Sequence, residues 1–339
     1  MSAPAAAKIQ HAFLLGRGRS GTTWIAQILN RFSGCVYKDE PFNPGKNRAY
    51  TAWQDALGEQ AAEQARIDYD RLVRGCVHDV DYPPFLRKSC RPQPPAMLRA
   101  SWQLGKAIPA LRGIYHWYGR PKLRDGDWVL TKQVNFPNEK LPALCEALDP
   151  KLMAVLRGPF ASVSSSLRFY HKTAAAEFRP AHALQRVAEL TAELEGELPG
   201  MRAYSPAELE AMSEAAFEAL RWRIQTEPLA RFTAAHPQGL VVTHEGFAAD
   251  PLGSAEQAFA FLGWPLEDAV REFIDASTAG TRHQAFASDE KKQHGVHRDP
   301  KEAVQRWRKD LDAQQIEEIS AIIAPSELLG LWPDQAVSS

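Results

Sequence analysis

Short hydrophobic runs alternate with longer amphipathic segments along most of this chain. Five runs have the length of a buried β-strand: Ala12–Leu15, Cys35–Tyr37, Trp128–Thr131, Leu152–Leu156 and Leu240–Thr243. Hydrophobic residues at helical spacing follow several of them, as over 25–32 and 138–148. Strands that alternate with helices are typical of a parallel sheet. The pattern therefore predicts an α/β fold with a central parallel sheet.

Two long stretches interrupt this alternation. Residues 45–127 are polar and contain a proline cluster, and residues 168–236 have a helical pattern. In the second stretch, Ser205-Pro206-Ala207-Glu208 has the cap, proline and glutamate of a capping box, and a hydrophobic face continues from it to Ile224. A chain of 339 residues can form one large domain. We interpret both stretches as helical insertions that cover the sheet of a single domain, residues 1–339.

The composition excludes several broad classes of protein. Hydrophobic residues make up 45% of the chain, enough for a sizeable core, so wholesale disorder is excluded. The 40 Lys and Arg residues nearly balance the 41 Asp and Glu residues, giving a net charge of −1. This balance disfavours a dedicated binder of nucleic acid or of anionic membranes. Any basic surface must therefore be local.

The N-terminal sequence and the cysteines indicate a reducing compartment. The first 15 residues lack the charged start and apolar run of a signal peptide, and no run of 18 apolar residues occurs. Four widely spaced cysteines show no clustering typical of zinc sites or disulfide frameworks: Cys35, Cys76, Cys90 and Cys145. We predict a cytoplasmic protein without a membrane span.

The most informative segment joins the first strand to the first helix. Residues 14–24 read Leu-Leu-Gly-Arg-Gly-Arg-Ser-Gly-Thr-Thr-Trp. A glycine-rich turn of this kind points successive backbone N–H groups at one spot, and the helix N-terminus adds its positive dipole end. The hydroxyl groups of Ser20, Thr22 and Thr23 add donors. The segment predicts a phosphate cradle and, with the sheet, a three-layer P-loop-type fold.

The cations near this loop differ from those of a nucleoside triphosphate site. A triphosphate loop carries lysine directly after its second glycine. Here Gly16 and Gly21 have the required spacing, but Thr22 stands where the lysine belongs. The cation lies upstream instead, at Arg19. This difference disfavours a kinase or an ATPase.

The later strand ends also carry cations. The third, fourth and fifth strands lead into Lys132, Arg157 and His244, without the aspartate that would hold a metal ion. Because the carboxyl ends of parallel strands meet at one edge of a sheet, these groups are expected near the loop. The pattern favours an anion that is bound without a metal.

Three segments resemble the sulfotransferases that use 3′-phosphoadenosine 5′-phosphosulfate (PAPS). Arg19–Trp24, with the sequence RSGTTW, is similar to their 5′-phosphosulfate loop. A strand that leads into Arg157, with Ser165 eight residues later, has the spacing of their 3′-phosphate motif. More weakly, Thr243–Pro251 resembles the stretch before their C-terminal helix, with His244 in place of the usual tyrosine. Together the segments span most of the chain in the same order.

The resemblance implies PAPS as co-substrate and no metal. Residues implied to contact it are Arg17, Gly18, Arg19, Ser20, Gly21, Thr22, Thr23, Trp24, Arg157, Ser165 and Arg298. For Trp24, packing beneath the loop is the alternative to stacking on adenine. Arg298 lies in residues 282–309, where eight Lys and Arg face four Asp and Glu. Lys291 and Lys292 are alternatives for the same 3′-phosphate contact, and a solvated loop is the other interpretation of this stretch.

Three residues are candidates for catalysis. The resemblance implies that Arg19 stabilises the leaving phosphate. Glu40 is a candidate general base because it follows the second strand at the ligand-binding edge. Its Glu-Pro pair also resembles carbohydrate and tyrosylprotein sulfotransferases more than the cytosolic small-molecule branch. Lys132 is a candidate contact to the sulfuryl group or acceptor, or a salt-bridge partner of Glu40. A histidine base is the alternative, with three candidates: His78, His116 and His171.

The sequence therefore predicts transfer of a sulfuryl group from PAPS to a hydroxyl or amine. A small-molecule or carbohydrate acceptor is expected, with carbohydrate favoured by the Glu-Pro pair, and no nucleic acid is expected as partner. The aromatic residues within 114–118 either line an acceptor pocket or pack in the core. Two other functions stay open: a P-loop kinase or nucleotide hydrolase, and a non-catalytic nucleotide-binding module.

Overall fold

Five parallel β-strands form the centre of the protein in a computed structural model that describes residues 8–172, 179–278 and 300–335. The strands are β1 (Gln10–Gly16), β2 (Cys35–Asp39), β3 (Trp128–Val134), β4 (Lys151–Leu156) and β5 (Gly239–Thr243). Each contains one of the five predicted hydrophobic runs, so the α/β prediction is confirmed. Their order across the sheet is β2-β3-β1-β4-β5.

The register of the sheet aligns the strand ends at a single edge. Gly16 at the end of β1 pairs with Val134 of β3 on one side and with Val155 of β4 on the other. Asp39 at the end of β2 pairs with Lys132. The chain leaves β1 towards β2 and β3, and only later crosses to β4 and β5. The loop after β1 therefore lies where the connections diverge, which is where open parallel sheets bind ligands.

Side chains of the central strand alternate between two hydrophobic cores. Phe13 and Leu15 face one core, and Ala12 and Leu14 face the other. All four are almost completely buried. Since successive side chains of a strand point to opposite faces, this alternation makes a three-layer arrangement with helices on both sides of the sheet.

The helices of the first half follow the strands or fill the connection between β2 and β3. After β1 comes α1 (Thr22–Leu29), and after β3 come a 3₁₀ turn (Asn138–Lys140) and α6 (Leu141–Leu148). The long connection contains α2 (Arg48–Asp55), α3 (Ala62–Val73), α4 (Pro95–Ala107), a 3₁₀ turn (Pro109–Leu111) and α5 (Arg112–Tyr118).

The helices of the second half surround β5. Between β4 and β5 lie α7 (Pro159–Lys172), α8 (Ala181–Glu193), α9 (Pro206–Ala211) and α10 (Glu214–Ala235). After β5 come α11 (His244–Ala249), α12 (Pro251–Leu262), α13 (Asp268–Thr278), α14 (Pro300–Gln305), α15 (Trp307–Asp310) and α16 (Ala313–Ile323). Two 3₁₀ turns follow, Glu327–Leu331 and Pro333–Gln335.

The region around the predicted capping box matches the sequence only in part. Ser205 and Glu208 form both hydrogen bonds of the box at the start of α9, as predicted. The prediction of one continuous helical face to Ile224 is wrong, because Met212 adopts an extended backbone and ends α9. Ser213 then caps a second helix by accepting a hydrogen bond from the Ala216 amide. A serine that offers a new cap competes with helix continuation.

Candidate functional site

A cavity of about 820 Å³ opens at the carboxyl edge of the sheet. Its walls come from the loop after β1, the ends of β2 and β3, and helices α1, α7, α10 and α14. Seven Lys and Arg side chains and three Glu side chains line it within the described residues: Arg17, Arg19, Lys132, Arg157, Arg168, Arg221, Arg306, Glu40, Glu218 and Glu302. The excess of four positive charges makes this a site for a multiply charged anion.

The loop after β1 is a tight turn that leads directly into α1. Arg19 and Gly21 both have left-handed backbone angles, with φ of 72° and 86°. The Ser20 amide donates to the Arg17 carbonyl at 3.1 Å, which closes the turn. Within the described chain, no side chain caps the start of α1. The first amides of the helix are therefore available to an anion in the cavity.

Arg19, Arg157 and Ser165 meet at this loop although they are far apart in sequence. Arg19 Nε donates to Ser165 Oγ at 3.1 Å, and an Arg157 terminal nitrogen donates to the Arg19 carbonyl at 3.0 Å. Burial lowers the pKa of Arg157 to about 10, against the raising effect of Glu245. At that pKa the guanidinium is still charged at neutral pH. The structure thus joins the loop motif and the Arg-Ser motif at a single place.

Arg17 lies in the wall of the cavity but is held by protein groups. Its guanidinium forms a buried ion pair with Glu218 and donates to Ser162 Oγ at 2.9 Å, Ser166 Oγ at 3.1 Å and Gln225 Oε1 at 3.0 Å. Burial alone raises the pKa of Glu218, but its two arginine neighbours outweigh burial and the net pKa is lowered. Arg17 therefore fixes the loop to α7 and α10.

Of the other loop residues predicted to contact the ligand, most line the cavity and one is buried behind it. Gly18, Gly21, Thr22, Thr23 and Trp24 line the cavity. Ser20 is 2% exposed, and its Oγ has no hydrogen-bond partner among the described residues. Trp24 is buried and donates from Nε1 to Ser277 Oγ at 3.2 Å. Arg298, Lys291 and Lys292 lie outside the described residues.

A group of acidic and lysine side chains occupies the opposite wall, at the ends of β2 and β3. Lys132 is buried, forms an ion pair with Glu40 and lies 3.4 Å from Asp39 Oδ1. The second Glu40 oxygen is 3.9 Å from Lys46 Nζ. Glu40 has a left-handed backbone with φ of 46°, a rare conformation for this residue type. Its side chain is 19% exposed and lines the cavity.

The end of β3 differs from the sequence analysis, whereas the end of β2 does not. β3 continues past Lys132 to Val134, and β2 ends in the carboxylate of Asp39. Asp39 accepts hydrogen bonds from Tyr37 at 2.6 Å and from Lys46 at 2.8 Å. Burial alone raises its pKa, but Lys132 and Lys46 outweigh burial and hold the pKa well below its usual value. Asp39 is thus an ionised, fully engaged partner of the two lysines.

The three histidines proposed as alternative bases do not line the cavity in the described structure. His78 is buried between the Trp102 carbonyl, at 3.0 Å, and Asp79. His116 accepts a hydrogen bond from the His78 amide at 3.2 Å, and burial lowers its pKa. His171 is exposed and pairs with Glu214 at 2.8 Å. The aromatic residues within 114–118 are also outside the cavity lining.

His244 lies at the cavity in direct contact with the loop. Its ring packs so closely on Gly21 that a Cβ at position 21 would collide with Nδ1. His244 is 5% exposed, and its Nδ1 has no hydrogen-bond partner in the described residues. Burial and the charge of Arg157 lower its pKa to about 3. The ring is therefore a neutral spacer between β5 and the loop.

Several cavity residues escaped the sequence analysis. Arg168 and Phe169 follow Ser165 by three and four residues on α7, a spacing that places them on one face. On α10, polar residues at 218, 221 and 225 recur at helical spacing among buried neighbours. The spacing of these residues in the sequence could have indicated that each set shares one helix face. Asn135, whose Oδ1 accepts from the Gly18 amide at 2.8 Å, had no local signal.

The described residues contain neither a candidate metal site nor a candidate membrane span. No group of three or more His, Cys, Asp or Glu side chains is arranged to hold a metal ion there. No helix of the described chain has both the length and the apolar character needed to cross a bilayer.

No protein-family model matches the sequence, and no curated protein matches it. Solved structures similar to this chain include mouse sulfotransferase SULT7A1 complexed with PAP, at 14% identity, 96% coverage of this chain, 88% of that chain and a TM-score of 0.48. Another is the sulfotransferase domain of the Synechococcus PCC 7002 olefin synthase, with 13% identity, coverages of 94% and 96%, and a TM-score of 0.46. A sulfotransferase from Alicyclobacillus acidocaldarius has 14% identity, 96% coverage of each chain and a TM-score of 0.43. All three neighbours are sulfotransferases or sulfotransferase domains.

The contact between Gly21 and His244 makes a stability prediction. In the variant Gly21→Ala, the left-handed backbone costs about 1 kcal/mol, and the collision with His244 adds about 1–3 kcal/mol. The control is Gly126→Ala, which has a similar φ of 83° and open space around the new Cβ. Urea unfolding should show the larger loss of stability for Gly21→Ala. Equal losses would contradict the close contact.

The buried neutral His244 makes a prediction about pH. The unfolded chain binds a proton at this residue near pH 6.5, whereas the native state resists protonation down to about pH 3. Stability is therefore fully present above about pH 6.5 and falls as the pH drops, by up to about 1.4 kcal/mol per pH unit. In His244→Gln, the free energy of unfolding should fall less steeply between about pH 7 and pH 5. The exposed His171→Gln variant is the control, and an unchanged slope in His244→Gln would exclude a buried neutral ring.

Proposed function

We propose that this protein transfers the sulfuryl group of PAPS to a hydroxyl or amine of an acceptor. The observation that carries the proposal is the meeting of Arg19, Arg157 and Ser165 at one loop, opposite the Lys132–Glu40 pair. Two sequence motifs that resemble the 5′ and 3′ contacts of PAPS thereby share a cavity, which the Glu40 carboxylate also lines.

The size and charge of the cavity support this ligand. A volume of about 820 Å³ lies within the range of small-molecule sites. PAPS carries about four negative charges near neutral pH, since a phosphate monoester contributes nearly two. The lining has an excess of four positive charges over the described residues. A cavity of this charge suits a doubly phosphorylated nucleotide.

The cations divide into two groups by position. Arg19 and the first amides of α1 would contact the 5′-phosphosulfate, because they surround the turn after β1. Arg157 and Ser165 would contact the 3′-phosphate. Arg306, from the same basic stretch as Arg298, lines the cavity and lies 3.5 Å from Asp310. Arg306 is therefore a second candidate for the C-terminal cation that the resemblance implies.

The proposed reaction is an in-line displacement at sulfur. A bond forms between the acceptor oxygen or nitrogen and sulfur, while the bond from sulfur to the bridging oxygen of the 5′-phosphate breaks. The electron pair of that bond stays on the leaving phosphate, giving adenosine 3′,5′-bisphosphate. Arg19 would stabilise the charge that develops there, a role that is most effective in a site from which water is excluded.

Glu40 is the proposed general base, and Lys132 positions it. The acceptor proton would pass to Glu40, whose Oε1 accepts a hydrogen bond from Lys132 and whose Oε2 lies beyond hydrogen-bond distance of Lys46. Lys132 is buried in β3 and also lies 3.4 Å from Asp39, so its charge has a fixed position in the cavity wall. That charge would be available to a sulfuryl oxygen as well. The proposal that a carbohydrate is the acceptor, and the cytoplasmic location, stay predictions from the sequence.

The first prediction for this function concerns nucleotide binding. Adenosine 3′,5′-bisphosphate without Mg²⁺ should raise the melting temperature, because a ligand at a hundred times its Kd stabilises the native state by about 2.7 kcal/mol. Arg19→Ala should abolish most of the shift, whereas the exposed control Arg202→Ala should retain it. A shift with ATP and Mg²⁺ but none with the bisphosphate would favour a kinase or nucleotide hydrolase instead.

The second prediction concerns the base. Glu40→Gln should lower kcat by about 10²–10⁴, the usual contribution of a positioned base, and leave bisphosphate binding nearly intact. Turnover is measured as transfer of radiolabelled sulfate from PAPS to sugars, phenols, lipid alcohols and tyrosine peptides. The exposed Glu59→Gln is the control. Normal turnover in Glu40→Gln would remove Glu40 from the reaction.

A further inference from the structure

Exposed hydrophobic side chains are concentrated in one part of the protein. Of the eight large hydrophobic residues exposed in the described chain, five lie on α4, α5 and the turn between them: Met97, Leu104, Ile108, Ile114 and Trp117. We name this the hairpin surface. Trp117 is 72% exposed, the highest value of the eight. Large hydrophobic residues that cluster at the surface mark a site of interaction.

The helices that carry the hairpin surface are packed firmly against the rest of the protein. On α4, Met97 and Leu104 share one side, while Leu98, Trp102 and Gly105 are buried on another. Ile108 directly follows the helix and is also exposed. Trp102 Nε1 donates to the His78 carbonyl at 3.0 Å, and its ring stacks on His78. The helices thus have an anchored face and a separate apolar face that points away from it.

The anchored face connects to the edge of the sheet. The buried Tyr115 hydroxyl of α5 donates to the Asp81 carbonyl. The Asp81 carboxylate accepts from Lys38 of β2 at 2.9 Å and from Arg91 at 2.6 Å, and all three side chains are buried. A buried network of this kind holds the hairpin in one position on the sheet. The apolar side chains are therefore presented by a rigid support.

The stretch that carries the hairpin surface is rich in cations, one of which, Arg112 of α5, pairs with Asp79 at 3.4 Å. Residues 82–124 contain nine Lys and Arg residues and not a single Asp or Glu, although the whole chain has a net charge of −1. Five of these cations are exposed: Arg87, Lys106, Arg120, Lys122 and Arg124. An apolar surface whose exposed flanking charges are mostly cationic is complementary to a partner that is both apolar and anionic.

We propose that the hairpin surface binds an anionic lipid membrane at its interface. A second copy of this surface would bring like charges together, which disfavours symmetric pairing. Nucleic acid would stack on aromatic side chains and leave the four aliphatic ones uncovered. A lipid interface takes up tryptophan and aliphatic side chains while its headgroups attract the surrounding lysines and arginines. Helices of 13 and 7 residues are too short to span a bilayer of about 30 Å, so they would lie on it.

The test is sedimentation with vesicles, measured on the full chain without nucleotide. The protein should sediment with phosphatidylcholine vesicles that contain phosphatidylglycerol, less with phosphatidylcholine alone, and less at high salt. Lys106→Gln with Arg120→Gln should weaken the partition about tenfold or more, since each cation near an anionic surface contributes about fivefold. Trp117→Ser should weaken binding to both kinds of vesicle.

Matched variants control for general effects of charge and exposure. Arg71→Gln with Arg202→Gln removes two exposed cations from other surfaces, and Leu331→Ser removes an exposed hydrophobic residue elsewhere. These variants should sediment like the wild type, and circular dichroism should show that all variants are folded. The proposal is overturned if the folded wild type does not sediment with anionic vesicles, or if hairpin and control variants lose binding equally. It is also overturned if the hairpin variants abolish only self-association, protein binding or nucleic-acid binding. Because the sedimentation assay contains no nucleotide, a lack of vesicle binding would not contradict the proposed sulfuryl transfer.

Discussion

The parallel pairing of β1 with both β3 and β4 determines where the charged groups of the cavity lie. Gly16 is flanked by Val134 and Val155, so the loop that follows it emerges between two strand ends. A side chain on Gly16 would collide with the Val155 carbonyl, since an added Cβ would lie only 2.8 Å from that oxygen. The close spacing of the strands therefore demands glycine at this point. With the loop so placed, Lys132 lies on one side of it and Arg157 on the other.

Concentrating cations at one sheet edge has an electrostatic cost, and the fold offsets it with three carboxylates. Glu218 neutralises Arg17, Asp39 lies between Lys46 and Lys132, and Asp310 pairs with Arg168 at 2.6 Å. Each acid comes from a different part of the chain. Such compensation lowers the cost of burying these cations while the cavity lining keeps its net positive charge. It also explains why a chain with a net charge of −1 can hold a strongly cationic site.

The sequence was sufficient for the sheet and for the loop, because strand runs and the glycine-rich turn are local signals. It also placed Arg19, Glu40, Lys132, Arg157 and Ser165 among the candidates, and all five line one cavity. It missed Glu218 and Arg221, since which face of α10 meets the cavity depends on how the helices pack against the sheet. The local basic surface at 82–124 was hidden by a balanced total charge. The break in the helix at Met212 was also not predictable from the sequence pattern. Ser205 and Ser213 can each cap a helix start, and whether the helix continues past the second serine depends on the relative energies of the two conformations.

The hydrogen bonds of Arg157 determine when the cavity can form during synthesis of the chain. One terminal nitrogen donates to the Arg19 carbonyl and the other donates to the Ala303 carbonyl at 2.8 Å. Arg19 is synthesised long before Ala303, which supplies the second of these two carbonyl acceptors. Domains generally fold as units during synthesis, so contacts between distant segments of one domain form only when both segments have emerged. A nascent chain that ends before Ala303 therefore holds the loop after β1 without the finished cavity.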